Sequence, residues 1–151
     1  MAQAINYLGL AWGDPRSRIG EELARRYELT AESEASLSFR GSVAREPAEI
    51  EALFANEGLD RIVIRIDITD REDAAAKRLL DSLFALYEHR HGASASGAPA
   101  DSAGSPAVHG EWQDAQACLR LASVADAGRR FIVIAYARHD NPGSPASSPN
   151  P

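Results

Sequence analysis

Acidic, basic and histidine side chains gather where three apolar segments of the chain end. The candidate catalytic residues in this set are Asp14, Asp70, His139 and Asp140, and the candidate ligand-binding residues are Arg16, Arg18 and Arg138. An anion could bind at a helix N-terminus behind the first segment, where the backbone dipole and a guanidinium cooperate. A histidine could then act as a general acid or base, with a carboxylate orienting it or holding Mg²⁺.

Each of these residues also has a structural explanation. Asp14 precedes Pro15, an order that is typical of the start of a helix, and Asp70 lies within Thr69–Glu72, whose spacing matches a capping box. His139 borders a polar tail, where a solvated charge is common. The sequence therefore leaves two interpretations open, a ligand-binding rim and a set of ordinary strand and helix ends.

No stretch of the chain contains a motif that names a reaction. The sequence lacks a Gly-x-Ser-x-Gly elbow, a Gly-rich phosphate loop ending in Lys-Ser or Lys-Thr, and a Cys-x-x-Cys pair. His89 and His91 are two residues apart on a predicted helix and point in nearly opposite directions, so they cannot chelate one ion. We therefore predict no metal site and no cofactor, and the sequence favours a role other than catalysis without deciding the question. Mg²⁺ binding is expected only if the residues at the strand ends form a ligand-binding rim.

A second set of candidate residues lies on two predicted strands with one polar face. Residues 36–43 alternate between apolar and polar side chains, and residues 61–68 place four isoleucines on one face. The charged residues on the opposite faces are Arg40, Arg61, Arg65 and Asp67. Burial of these charges on folding would be unfavourable, so we expect them to face solvent or a partner protein.

The elements that must position both sets alternate along the chain. Apolar and periodic patterns predict strands at 4–12, 36–43, 61–68 and 131–137, and helices at 15–29, 47–57, 70–91 and 111–127. This order favours a four-stranded, largely parallel α/β sheet with four helices. In such a sheet the first candidate set would meet at one rim, beyond the carboxyl ends of the strands.

The faces of the predicted strands indicate their order in the sheet. Strands 1 and 4 are apolar on both faces and are expected at the centre, whereas strands 2 and 3 have one polar face and are expected at the edges. The alternative is a two-layer α+β sandwich, because the polar faces could mean that one side of the sheet is bare.

Two segments are too poor in large apolar residues to fold. Residues 93–108 and 141–151 consist almost entirely of small residues and proline. Such segments cannot bury enough surface to offset their ordering entropy. We therefore predict a single domain over residues 1–140, with a disordered insertion at 93–108 and a disordered C-terminal tail at 141–151.

Composition narrows the class of protein. The 151 residues include 16 basic and 22 acidic side chains, a net charge of −6 that argues against nucleic-acid binding. No apolar run reaches the roughly 18 residues of a membrane helix, and no secretory signal is visible. The single cysteine cannot form an internal disulfide, which fits a reducing compartment and predicts a cytoplasmic location.

These observations favour a small acidic protein that acts by binding a partner protein. It could be a regulator, an adaptor or a neutraliser of a toxin or enzyme, and we expect its partner to be a basic protein or a second copy of the chain. The first alternative is an enzyme or sensor that binds an anionic small molecule, a nucleotide or phosphoester, at the carboxyl-end rim. The second is a subunit of a larger assembly without separate activity.

Overall fold

The computed structural model describes residues 4–55, 58–94 and 107–139. The elements in these ranges are α1 (Arg16–Ala24), β1 (Glu28–Glu32), β2 (Ser36–Val43), β3 (Glu46–Ala55), β4 (Gly58–Asp67), α2 (Asp73–His91), β5 (Ala107–Gln113), β6 (Ala117–Asp126) and β7 (Arg129–Arg138). The strands form one seven-stranded sheet in the order β1-β2-β3-β4-β7-β6-β5. Every neighbouring pair is antiparallel.

The predicted four-stranded, largely parallel α/β domain with four helices is therefore wrong. The third predicted strand corresponds to β4, which lies in the middle of the sheet between β3 and β7 and not at an edge. The fourth predicted strand corresponds to β7 and is interior, but the strand predicted beside it at 4–12 is not formed. The two-layer alternative is nearer to the observed arrangement.

The second predicted helix is strand β3. Its helical prediction depended on Ile50, Leu53 and Phe54, whose spacing suits one face of a helix. The observed burial follows a period of two instead, with Ile50 buried between Glu49 and Glu51. Because β2 and β4 supply hydrogen-bonding partners on both sides, tertiary pairing outweighs the helical propensity of an Ala- and Glu-rich segment.

The fourth predicted helix is the hairpin of β5 and β6. Trp112 lies directly opposite Leu119 across the two strands, and both are buried. The turn between the strands contains neither glycine nor proline. Asp114 closes it by accepting hydrogen bonds through Oδ1 from the backbone N–H groups of Gln116 (2.7 Å) and Ala117 (2.9 Å). The Asp114 side chain thus forms an Asx-turn, which closes the hairpin without glycine or proline.

The apolar run predicted as the first strand forms turns that lie against the sheet. The N–H of Ile5 donates to Asp114 Oδ2 at 2.7 Å, and Trp12 Nε1 donates to the Ile5 carbonyl at 3.0 Å. The Gly13 N–H donates to the carbonyl of Leu59, at the start of β4, at 3.0 Å. The segment therefore covers part of the sheet without becoming one of its strands.

Both helices begin near their predicted positions but without the predicted caps. Pro15, not Asp14, occupies the N-cap position of α1, and Glu72, not Thr69, occupies that of α2. Thr69 Oγ1 instead accepts a hydrogen bond from the Arg130 N–H at 2.9 Å. Thr69 therefore attaches the segment before α2 to the first residues of β7.

The two helices pack on the same face of the sheet. Ile19 and Leu23 of α1 are fully buried there, and the Trp112 ring lies 5.4 and 5.8 Å from the rings of Phe84 and Tyr87 on α2. The buried side chains of β4 are Ile62, Ile64, Ile66 and, just beyond the strand, Ile68. Burying an isoleucine side chain contributes roughly 1.5–3 kcal/mol, so this row is a major part of the core.

The opposite side of the sheet carries no described helix, and we call it the open face. No helix among the described residues is long and apolar enough to cross a membrane. β5 begins at Ala107, so the last two residues of the predicted insertion belong to a strand. Ala93 and Ser94, the first two residues of that insertion, are also described, and Ser94 Oγ accepts a hydrogen bond from the Glu111 N–H at 2.9 Å. The rest of the predicted disorder, at 95–106 and 141–151, lies outside the described residues.

Candidate functional site

The antiparallel sheet separates residues that a parallel sheet would have brought to one rim. The Asp14 carbonyl accepts a hydrogen bond from the Leu59 N–H (2.9 Å) at the start of β4, whereas Asp70 follows the end of β4. A ten-residue strand spans roughly 30 Å, so these two carboxylates lie at opposite ends of the sheet. His139 follows β7 and lies at the same end as Asp14, because Ala137 pairs with Arg61. The predicted catalytic set does not converge.

His139 has a structural partner at its end of the sheet. Its Nε2 donates a hydrogen bond to the Asp114 carbonyl at 2.9 Å, and its N–H donates to the Gln116 carbonyl at 2.8 Å. Burial works against ionisation of Asp114, but three backbone N–H donors, from Ile5, Gln116 and Ala117, outweigh it and lower the pKa of the carboxyl. Asp114 and His139 therefore hold the N-terminal segment and the last strand together.

The arginines predicted to bind an anion are engaged with other groups of the chain. Arg18 pairs with Asp14 at 3.1 Å, and Arg138 lies 3.7 Å from Asp60. Arg16 pairs with Glu32 at 3.3 Å and also donates to backbone carbonyls near the end of β1. Asp140 lies outside the described residues. The rim interpretation therefore has no observed geometry to support it.

All four residues predicted to form a protein-binding surface lie on the open face. Arg40 is on β2, and Arg61, Arg65 and Asp67 are on β4. Arg40, Arg65 and Asp67 line one groove of about 250 Å³, whose far wall is Phe131 of β7. Arg61 lies outside this groove, beside Ala137 of β7.

The centre of the open face is apolar. Val63 of β4 lies opposite Ala135 of β7, and Val133 of β7 lies opposite Ala122 of β6. With Phe131, these residues form a contiguous apolar middle across three strands. Val63 and Ala122 are nearly buried between their neighbours, whereas the β7 residues are half-exposed.

Charged residues flank the apolar middle on both sides. The ion pairs on this face are Arg65–Glu51 (3.6 Å), Arg129–Asp67 (2.6 Å) and Arg120–Glu111 (2.8 Å). Arg40 and Arg61 form no ion pair with any described residue. The face therefore carries both signs of charge in near balance, and the acidity of the whole chain is concentrated elsewhere.

Asp67 is the carboxylate of this face that is held most firmly in its ionised form. The Thr69 N–H donates to Oδ1 at 2.9 Å, and Arg129 donates to Oδ2 at 2.6 Å. Hydrogen bonds from Thr69, and then from Arg129, lower the pKa of Asp67 to about 2. The Arg129 guanidinium also lies 5.1 Å from the centre of the Phe131 ring, over one end of the apolar middle.

We expect Asp67→Asn to make folding less sensitive to acid. The pKa of Asp67 is lower in the folded chain than its usual 3.8, so its ionised form stabilises the fold above that value. This contribution disappears as the pH falls towards 2. The free energy of unfolding, measured by urea titration at several acidic pH values, should therefore change less with pH in the variant. Asp126→Asn, which removes an exposed carboxylate from the β6–β7 hairpin beside β4, controls for the lost charge. A wild-type pH dependence in Asp67→Asn would contradict the prediction.

A cavity on the helical side contains residues that the sequence did not indicate. It has a volume of about 300 Å³ and is lined by all four tyrosines of the chain, Tyr7, Tyr27, Tyr87 and Tyr136, together with Arg90. Each tyrosine lies in a different predicted element, the strands at 4–12 and 131–137 and the helices at 15–29 and 70–91. The one local signal is Gly41 within β2, because a side chain there would lie 2.3 Å from the Tyr27 ring.

The described residues contain no group of three or more His, Cys, Asp or Glu side chains that could hold a metal ion. Cys118 is half-exposed on β6, and burial raises the pKa of its thiol, which disfavours the reactive thiolate. The geometry thus offers two features for recognition, the open face and the tyrosine-lined cavity.

No known protein family, curated protein or solved structure matches this chain.

Proposed function

We propose that this protein acts by binding protein, and that the open face of its sheet is the binding surface. The supporting observation is a seven-stranded sheet with one face covered by no described element and with an apolar middle between arginines and carboxylates. An apolar centre with a charged rim is the usual anatomy of a protein interface. The face includes Arg40, Arg61, Arg65 and Asp67, the residues that the sequence selected.

We propose a second copy of the chain as the occupant, because the charges of the face complement themselves. Two strongly like-charged faces would repel each other, but this face combines five arginines with six carboxylates in its outward positions. The arginines are Arg40, Arg61, Arg65, Arg120 and Arg129, and the carboxylates are Glu28, Glu49, Glu51, Asp67, Glu111 and Asp126. In a two-fold pairing, Arg40 and Arg61 of one copy, which lack ion-pair partners among the described residues, could meet carboxylates of the other. Two open faces would then stack as the layers of a sandwich, roughly 10 Å apart.

The size of the open face suits such a dimer. Seven strands about 4.8 Å apart and up to ten residues long make a surface of about 30 by 33 Å. A standard protein interface buries about 800 Å² on each partner, which is close to this area. The segments outside the described ranges at 95–106 and 140–151 contain no large apolar side chain with which to cover the apolar middle.

Ala135→Lys is expected to weaken self-association. The direct cross-strand neighbours of Ala135 are Val63 and Arg120, so the new cation would have no carboxylate beside it. Burying an unpaired charge in an interface costs about 2 kcal/mol or more, which corresponds to a rise of roughly 30-fold in the dimer dissociation constant. Sedimentation equilibrium from micromolar to millimolar concentration measures this constant.

The matched control is Ala85→Lys, the same substitution at an exposed position of α2 on the other side of the molecule. It should leave the dissociation constant unchanged. A wild-type chain with the mass of one copy at every concentration would overturn the proposal of self-association. So would an equal effect of the two substitutions.

Two other functions suggested by the sequence remain proposals of lower rank. A regulator, adaptor or neutraliser would use the same face on a different partner, and a monomeric wild-type chain would favour it. A subunit of a larger assembly would also use this face.

For the compartment, we propose the cytoplasm, because the single Cys118 forms no disulfide and fits a reducing environment.

A further inference from the structure

The tyrosine cavity lies between the helical layer and the sheet. Tyr136 projects from β7, Tyr87 lies on α2, Tyr27 follows α1, and Tyr7 belongs to the N-terminal segment. The Tyr7 and Tyr136 rings are 5.5 Å apart. Three separate parts of the helical layer and one strand therefore bring the four phenol groups of the chain to one place, away from the open face.

Hydroxyl hydrogens in this cavity are available to an acceptor. The Tyr7 and Tyr27 oxygens are 2.5 Å apart, so one of these hydroxyls donates to the other and the second keeps a hydrogen to donate. Tyr87 and Tyr136 line the same cavity and are only 4% and 2% exposed. A buried donor without an acceptor is unfavourable by about 1–3 kcal/mol, which an acceptor oxygen from a ligand would relieve.

These hydroxyls stay protonated, so they remain donors. Burial is the main reason that the pKa values of Tyr7, Tyr87 and Tyr136 are raised. Arg90 opposes this effect at Tyr87 and Tyr136, so its positive charge acts on both hydroxyls. Arg90 makes no ion pair or hydrogen bond with the described residues, and no carboxylate is among the residues that line the cavity. The cavity is therefore suited to an anion.

The walls of the cavity are suited to an apolar group. Leu83 and Leu86 of α2 and Leu8 of the N-terminal segment line it, together with the tyrosine rings. Leu8 and Leu86 are 42% and 38% exposed, and they are two of the three large apolar side chains most exposed on the described surface. Leu8 also has a left-handed backbone conformation (φ 57°) that is unfavourable for a non-glycine residue. Strained residues of this kind concentrate at binding sites.

We propose that the tyrosine cavity binds a small amphipathic carboxylate. Its carboxylate would lie between the Arg90 guanidinium and the free hydroxyl hydrogens of the tyrosines, and its apolar part would lie against Leu83 and Leu86. A volume of about 300 Å³ holds about ten non-hydrogen atoms at the packing of a liquid. An arylacetate has this size and this distribution of charge. The proposal does not depend on the open face.

The test uses phenylacetate as the carboxylate probe, hexanoate as an aliphatic carboxylate, and phenylacetamide as a neutral probe of the same shape. Two-dimensional NMR titration of the full chain gives a dissociation constant for each and shows which amides shift. We expect saturable binding of phenylacetate at least tenfold tighter than that of phenylacetamide, with the largest shifts at residues 6–8, 42–44 and 83–90. Tighter binding of hexanoate than of phenylacetate would assign an aliphatic ligand to the same site.

Arg90→Met and Arg78→Met separate the site from a general effect of charge. Both arginines are exposed on α2, but Arg78 does not line the cavity. Arg90→Met should weaken phenylacetate binding tenfold or more and leave phenylacetamide binding unchanged, whereas Arg78→Met should change neither. Tyr136→Phe, which keeps the ring and removes one donor, should also weaken phenylacetate selectively.

Several results would overturn the proposal. These are equal affinity for phenylacetate and phenylacetamide, equal loss of binding in Arg90→Met and Arg78→Met, and shifts confined to the open face. Absence of saturable binding of either carboxylate at millimolar concentration would also overturn it. Because Arg90 and Arg78 are both exposed, their replacement should leave the NMR spectrum of the unliganded fold intact, which the same experiment verifies.

Discussion

Gly58→Ala is expected to destabilise the fold by about 3 kcal/mol or more. Gly58 has φ of +94°, a conformation that is unfavourable for residues with a Cβ atom. A methyl group there would lie 2.1 Å from the Gly13 carbonyl oxygen and 2.6 Å from that of Asp14. Both are backbone atoms that no side-chain rotation can move. The substitution would therefore separate the N-terminal segment from the start of β4.

Gly128→Ala isolates the contribution of the contact. Gly128 also has positive φ (+81°), but a methyl group there would meet nothing within 4 Å. Gly128→Ala should therefore lower the free energy of unfolding only by the cost of placing a Cβ atom in a left-handed conformation, about 1–2 kcal/mol. Urea unfolding followed by circular dichroism measures both, and hydrogen exchange at the Gly13 and Leu59 amides should accelerate in Gly58→Ala alone. Equal destabilisation by the two substitutions would show that the close approach at Gly58 is unimportant.

The sequence predicted best the elements in which one pattern of apolar residues dominates. The segments predicted as strands at 36–43 and 61–68 correspond to β2 and β4, and the long helix ending before Gly92 is observed as α2. Residues 131–137 are apolar on both faces and form part of β7, whereas residues 4–12, which have the same character, form turns. Ile50 and its neighbours fit both a helical face and an alternating strand, so only the strands on either side decide between the two.

Turns without the usual hairpin dipeptides concealed the antiparallel topology. The two central residues have left-handed conformations in the β2–β3 turn, Ala44 and Arg45, and in the β6–β7 turn, Ala127 and Gly128. Asn-Gly or Asp-Gly would have indicated these hairpins, but Ala-Arg does not, and Ala-Gly suits the end of a helix equally well. Without the hairpins, the strands seemed to need helical crossovers, which led to a parallel sheet.

The candidate sites also divide into those that a local sequence pattern can predict and those that depend on the whole fold. The alternating pattern of residues 36–43 and 61–68 predicted one polar face for each strand, and Arg40 and Arg65 lie on the open face, because the side-chain period of a strand is local. The rim at Asp14, Asp70 and His139 depended on strand direction, which is a property of the whole sheet. The tyrosine cavity depends on four elements far apart in the chain, and no local pattern could reveal it.

Trp112→Ala is expected to destabilise the fold by roughly 3–5 kcal/mol, the range for removing a buried aromatic side chain. Trp112 is 2% exposed, and its Nε1 donates a hydrogen bond at 2.8 Å to the Gly92 carbonyl, at the end of α2. Its ring contacts Phe84 and Tyr87 of the same helix. Trp112→Phe should cost less stability, because it keeps an aromatic ring in the core. We expect a loss of about 1–3 kcal/mol, since the Gly92 carbonyl loses its hydrogen-bond donor.

The chain offers a matched control for this prediction in its second tryptophan. Trp12 also donates through Nε1 to a backbone carbonyl, that of Ile5 at 3.0 Å, but it is only half-buried. Trp12→Ala should therefore cost less than Trp112→Ala in urea unfolding, and it should not accelerate hydrogen exchange in α2. If the two alanine variants were equally unstable, the attachment of α2 to β5 would not depend on Trp112. Because α2 carries Tyr87 and Arg90, its loosening in Trp112→Ala should also weaken phenylacetate binding in the tyrosine cavity.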